Sequence, residues 1–110
     1  MTDPRVTEAE SVVLGPLWRL GPLTPSRLIA EVKAVQPWAD TTIKTLLARL
    51  ARKAAVVAEK TDGVVRYRAL ITRQAFVEAE VDALTARLFD GDREALLAFL
   101  QAEKPNPRAS

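Results

Sequence analysis

One β-hairpin sits in a chain otherwise patterned for helices, and it limits the possible folds more than any other feature. The runs Val56-Val57-Ala58-Glu59-Lys60-Thr61 and Val64-Val65-Arg66-Tyr67-Arg68-Ala69 flank Asp62-Gly63, a two-residue turn signal. That turn sets a register in which Lys60 faces Val65, Glu59 faces Arg66 and Ala58 faces Tyr67. One face then holds Val56, Ala58, Val65, Tyr67 and Ala69, and the other holds Val57, Glu59, Arg66 and Arg68. Two strands alone are marginal in water, so the apolar face must lean on helices.

Three helical segments precede it. Thr7-Glu8-Ala9-Glu10 is a capping box, and the helix behind it turns Ala9, Val12, Val13, Leu17 and Leu20 inward, with Trp18 beside them. Pro16, following Gly15, predicts a bend in that helix, and Gly21-Pro22 stops it. Thr24 as N-cap and Pro25 at the first helical position open a second helix, with Leu28, Ile29 and Val32 inward and an end near Val35. Pro37 biases Gln36 away from helical geometry and makes a corner. The third segment, 40–53, places Ile43, Leu46, Leu47 and Leu50 at i, i+3, i+4 and i+7. Its remaining surface carries Thr41, Thr42, Lys44, Thr45, Arg49, Arg52 and Lys53, with Asp40 as the expected cap. A greasy back with a front of hydroxyls and cations suits a DNA major groove, and it also suits an ordinary solvated basic face. Two short helices joined by a corner, the second of them basic, form a helix-turn-helix, and the hairpin adds the wing.

Composition narrows the function. At 110 residues, 48% of them hydrophobic, the chain makes one domain or a domain with a short appendage. The net charge of +2 hides an asymmetry: residues 41–68 hold seven basic and two acidic side chains. Such a window points to a polyanion partner. The chain has no cysteine and no histidine, which removes disulfides, thiolate metal sites, the commonest general base and the commonest neutral metal ligand. Nucleophile–base pairs and phosphate-cradling glycine loops are also missing, so no enzyme, cofactor or metal is expected. Signal-peptide regions and membrane-length apolar runs are lacking too, and a cytoplasmic protein is the expectation.

After Leu70-Ile71 the pattern changes. Thr72 caps a long helix to about Phe89, along which Val77, Val81, Leu84 and Leu88 recur at 4-3-4 spacing, a heptad-like seam. In Asp90-Gly91-Asp92, Gly91 is the left-handed terminator and Asp92 the next N-cap. The last helix, about 93–103, shows Leu96, Leu97, Phe99 and Leu100. The seam could be intramolecular core. With the hairpin unit closed by residue 71, a symmetric dimer is the simplest cover for Val77, Val81, Leu84, Leu88, Phe89, Leu96, Leu97, Phe99 and Leu100. The expected organisation is a winged helix-turn-helix over 1–71, a helical dimerisation region over 72–104 and a disordered tail over 105–110, a mainly α fold with a small β-ribbon.

Several blocks resemble the penicillinase-repressor family (BlaI/MecI/CopY): Ala-Glu then Val-Leu-Gly-Pro-Leu-Trp (9–18), Gly-Pro-Leu-Thr-Pro-Ser (21–26), Trp-Ala-Asp-Thr-Thr-Ile-Lys-Thr-Leu-Leu-Ala-Arg-Leu (38–50) and Arg-Leu-Phe-Asp-Gly (87–91). The resemblance implies a homodimeric bacterial repressor whose winged half binds a palindromic operator. It places third-helix DNA contacts on Thr41, Thr42, Lys44 and Thr45, with Arg49 following, and wing contacts on Arg66 and Arg68. Thr24 and Ser26, at the start of the preceding helix, complete the expected DNA-binding set. The copper-responsive branch uses C-terminal cysteines, which this chain lacks. The antibiotic-responsive branch is cut between Asn and Phe, where this chain has Ala98-Phe99, so a sensor protease as partner stays open. The chain ends earlier than those members, which implies one helix fewer in the dimerisation region. Its wing is about one residue shorter, and Ala54 stands where the family has glycine.

The leading expectation is thus a DNA-binding transcriptional repressor acting on double-stranded DNA as a homodimer. The alternative is a winged-helix adaptor for protein contacts, since a fold alone does not determine function.

Overall fold

The computed structural model describes residues 5–102; the expectations for the 105–110 tail and for the last residues of the final helix lie outside them. The elements run α1 (Glu8–Leu20), α2 (Pro25–Lys33), α3 (Asp40–Arg52), β1 (Val56–Thr61), β2 (Val64–Ala69), α4 (Arg73–Phe89) and α5 (Arg93–Gln101). The chain forms two compact units that divide within α4, between Phe76 and Val77.

In the first unit the capping box closes as the residues require. The Glu10 amide donates to the Thr7 hydroxyl at 3.2 Å, and the Thr7 amide donates to the Glu10 carboxylate at 2.9 Å. Helix α1 continues unbroken through Pro16 and ends at Gly21, whose φ of 83° needs a residue without a Cβ. The inward face differs from the expected one by a partial rotation. Leu14 and Pro16 are buried, whereas Leu20, the last residue of α1, is 48% exposed. Thr24 caps α2 by accepting from the Arg27 amide, and the helix stops at Lys33, leaving Val35 in solvent.

Asp40 does not cap α3. Ala39 holds that position with no side-chain bond, and Asp40, one residue inside the helix, pairs with Lys33 of α2. The favourable charge at the positive end of the helix dipole is retained. At the other end α3 closes in a Schellman arrangement: the Ala55 amide donates to the Leu50 carbonyl at 2.9 Å and the Ala54 amide to the Ala51 carbonyl at 3.1 Å.

The hairpin has the register that its turn dictates, from Val56 opposite Ala69 to Thr61 opposite Val64. Its apolar face is covered only at the base: Val56 is buried and Tyr67 and Ala69 are half-buried, but Ala58 and Val65 lie beyond the reach of the helices and are exposed. Leu23 adds a third, one-residue strand that the sequence pattern does not reveal, exchanging bonds of 3.1 and 2.8 Å with Tyr67. The core joins Val13, Leu14 and Leu17 of α1, Leu28 and Val32 of α2, the four apolar residues of α3, and Val56. Each such side chain contributes about 1.5–3 kcal/mol on burial, the main force holding α3 against its neighbours.

Trp18 links α1 to the end of this unit: its indole N–H donates to the Ile71 carbonyl at 3.0 Å and its ring meets Phe76 at 5.5 Å between centroids. Thr72 caps α4 by accepting from the Ala75 amide at 3.0 Å. In the second unit, Gly91 takes φ 79° and Asp92 caps α5 by accepting from the Glu94 and Ala95 amides. Phe89 and Phe99 meet at 5.8 Å, and Arg93 reaches Asp82 at 3.4 Å. Thr85, whose hydroxyl donates to the Val81 carbonyl, is the single side chain of α4 and α5 fully buried among the described residues.

Candidate nucleic-acid interface

Burial of Ile43, Leu46, Leu47 and Leu50 turns the opposite side of α3 outward by helical periodicity alone. Thr41, Thr42, Lys44, Thr45 and Arg49 are all exposed there. Thr41, Thr42, Thr45 and Arg49 surround a shallow concavity of about 270 Å³ with Leu46 at its floor. The Thr45 hydroxyl donates to the Thr41 carbonyl at 2.9 Å, which leaves its lone pairs for an outside donor. The side chains can therefore supply hydroxyls, an ammonium and a guanidinium, the groups that bind phosphate oxygens and base edges.

Charges around this face are arranged unequally. The hydrogen bond from Lys33 holds the Asp40 carboxyl below its ordinary value, and the nearby Lys44 ammonium adds a smaller pull. Asp40 is thus a carboxylate already committed to α2, and Lys33, which sequence reasoning passed over, ties the two helices of the motif. An acid opening one helix and a lysine closing the helix before it were the available signal.

Lys53 leaves the set of outward cations. Its ammonium donates to the Glu10 carboxylate at 2.7 Å and to the Arg5 carbonyl at 2.8 Å, and the Glu10 side chain is only 2% exposed. Burial pushes the Glu10 carboxyl up, but Lys53 and the Thr7 amide outweigh it and hold it below the usual carboxylate value.

The remaining expected residues separate. Thr24 is half-buried with its hydroxyl occupied as the α2 cap, whereas Ser26 is exposed in the first turn. On the outer face of the hairpin, Arg66 is exposed, and Arg68 grips Glu59 through Nε and Nη2 at 2.9 and 3.0 Å. The expected cross-strand partner of Glu59 was Arg66; long side chains reach the diagonal neighbour as easily, and Arg68 takes it. No group of three or more residues able to hold a metal is found among the described residues, and no helix among them is long and apolar enough to cross a membrane.

Three helices, a one-residue strand and a two-stranded wing, with a cationic third helix, define a winged helix-turn-helix protein of the DNA-binding class. Solved structures agree. The chain matches the DNA-binding domain of the repressor BlaI with a TM-score of 0.57 and 28% identity, covering 66% of this chain and 90% of that one. It matches Bacillus licheniformis BlaI, solved as a monomer in complex with the blaP half-operator, with a TM-score of 0.59 and 27% identity, covering 66% of this chain and 89% of that one. A MarR family protein from Bacillus stearothermophilus shares the fold at a TM-score of 0.52 and 24% identity, over 87% of this chain and 69% of that one. In sequence, the penicillinase repressor of Bacillus licheniformis is 26% identical over 102 residues, 92% of this chain and 80% of the relative. An uncharacterised 16.5 kDa protein of Latilactobacillus sakei is 30% identical over 95 residues, 86% of this chain and 65% of the relative. The penicillinase repressor family matches residues 6–108, and the chain belongs to that family of DNA-binding transcriptional repressors, which are not enzymes.

Proposed function

We propose that this repressor binds a palindromic operator in the cytoplasm as a homodimer, with α3 of each subunit in a major groove and the wing along the backbone. The observation that carries the reading is the exposed face of α3, where Thr41, Thr42, Lys44, Thr45 and Arg49 stand with no acid after Asp40. Lys44 and Arg49 read base edges, the Thr41, Thr42 and Ser26 hydroxyls bond phosphates, Thr45, its proton held by the Thr41 carbonyl, accepts from a base amino group, and Arg66 sits on the backbone. The relative solved on a half-operator supports a two-fold site, since a half-operator presupposes a second half.

The second unit supports the dimer. Its apolar side chains stay in water in one copy: Val77, Leu88, Leu97, Phe99 and Leu100 are 38–62% exposed. Val81, Leu96, Leu97 and Leu100 line a groove of about 320 Å³ between α4 and α5. With one fully buried side chain among its described residues the unit has little interior of its own, and a second copy supplies one.

Lys44→Ala tests the central assignment. It should weaken operator binding by about 1–3 kcal/mol in a gel-shift titration and relax selectivity at one base position. Unchanged affinity and selectivity would remove Lys44 from the reading set, and failure of the unaltered chain to bind DNA at all would favour the adaptor reading.

A further inference from the structure

Of the seven cations between residues 41 and 68, two are neutralised by acids of the same chain, Lys53 by Glu10 and Arg68 by Glu59. The first pair is buried and holds α1 against α3. The second stands on the outer face of the wing, with the Arg68 and Glu59 side chains 46% and 50% exposed. It uses the parallel N–H fork with which a guanidinium grips a phosphate. Arg66, directly opposite Glu59 in the register, makes no ion pair among the described residues. The Arg68 hydrogen bond holds the Glu59 carboxyl below its ordinary value.

We infer that Glu59 is an intramolecular competitor for DNA at the wing: its carboxylate occupies the Arg68 fork, so that Arg66 is the wing's phosphate contact and Arg68 is withheld from the DNA. The inference rests on the proposed placement of the wing along the backbone. A phosphate approaching Arg68 must displace two charge-assisted bonds and then lie beside the released carboxylate. At Arg66 no bond has to be displaced, and the Glu59 carboxylate opposite it stays with Arg68. The consequence is selectivity: with one sequence-independent contact withheld, the base contacts of α3 form a larger share of the binding free energy.

The test measures binding of the full chain to a mixed-sequence duplex two helical turns long, by fluorescence anisotropy over a range of salt concentrations. Non-specific binding is electrostatic, and the slope of log K against log[salt] steepens by about 0.9 for each phosphate neutralised. Glu59→Gln should steepen the slope by about that amount for each wing engaged and tighten binding. Arg66→Ala should flatten it by a similar amount, while Arg68→Ala combined with Glu59→Gln, which removes the pair without freeing a carboxylate opposite Arg66, should leave it unchanged. Asp62→Asn controls for the general field: it removes another wing acid, and asparagine tolerates the φ of 52° at that position.

A gain from Glu59→Gln no larger than that of Asp62→Asn would show that Glu59 acts only through its field and overturn the inference. So would the double variant flattening the slope as much as Arg66→Ala. Weaker binding by Glu59→Gln at an unchanged slope would mean that the pair presents the wing, which also overturns it. If Arg66→Ala and Glu59→Gln both leave the slope unchanged while the unaltered chain binds, the wing is off the DNA and the proposed placement itself fails.

Discussion

Ala54 occupies the left-handed region, at φ 59°, because the Schellman closure of α3 demands that conformation at the residue after Lys53. An L-residue with a Cβ is disfavoured there by about 1–2 kcal/mol. Ala54→Gly removes that strain, and the greater freedom of glycine in the unfolded chain takes back about 0.5–1 kcal/mol. The variant should gain about 0.5–1 kcal/mol in urea unfolding. A lower urea midpoint would show that the left-handed position carries no strain. The neighbouring Lys53 behaves oppositely. Removing it leaves the buried Glu10 carboxylate without its cation, and Lys53→Met should cost about 3 kcal/mol at neutral pH. The pH dependence gives the sign. In the native chain the Glu10 carboxyl lies below its ordinary value, so its stabilisation is full above the unfolded pKa, about 4.3, and is lost as pH falls through the lower folded value. In Lys53→Met the lowering by Lys53 is lost while burial and the Thr7 amide bond remain, so the Glu10 carboxyl rises relative to the native chain, and the deficit should be largest at neutral pH and shrink on acidification. Chemical denaturation at neutral pH and near pH 4 checks it; a deficit independent of pH would mean that Lys53 contributes packing, not charge.

Helices and strands were legible to the extent that local chemistry decides them. The Thr7–Glu10 box, Thr24-Pro25, Asp62-Gly63 and the Asp92 cap each place a boundary through bonds spanning three residues or fewer, and each stands where the sequence put it. Misjudged features depend on residues distant in the chain. Asp40 reads as a cap until Lys33 of another helix takes its carboxylate, and Lys53 reads as a surface cation until Glu10, 43 residues away, buries it. Leu23 has no strand signal because its two bonds come from Tyr67, whose edge a local pattern cannot show. The candidate interface was legible in its α3 part, where periodicity alone turns side chains outward, and less so in the wing, where a diagonal pairing decides which arginine is without an ion pair among the described residues. The Trp18 bond to Ile71 is another long-range tie, joining α1 to the segment that leads into α4. Trp18→Phe keeps the ring against Phe76 and removes one bond, so it should cost about 0.5–1.5 kcal/mol. Thermal unfolding followed by circular dichroism would measure it, and an unaltered midpoint would mean that water replaces the indole N–H at no loss.

For the whole molecule, the question is what covers the second unit. Leu97 is 52% exposed and Leu100 62% exposed beside a groove that also contains Val81 and Leu96, while the first unit has its own core from α1 through β2. In a symmetric pair each leucine is buried twice, so a charge introduced at one position is introduced at two. Losing the burial of a leucine side chain costs about 1.5–3 kcal/mol per subunit. Leu97→Glu should therefore shift the chain to monomer in sedimentation at micromolar concentration, while the unfolding signal of Trp18 and Trp38, which belong to the first unit, stays near that of the native protein. DNA binding supplies the second readout. Two α3 helices held in one dimer engage two half-sites as a single event, and separate subunits lose that advantage. Leu97→Glu should weaken binding to a two-half-site duplex far more than binding to a single half-site. A native chain that sediments as a monomer, or a variant weakened equally on both duplexes, would remove the dimer and leave each subunit reading DNA alone.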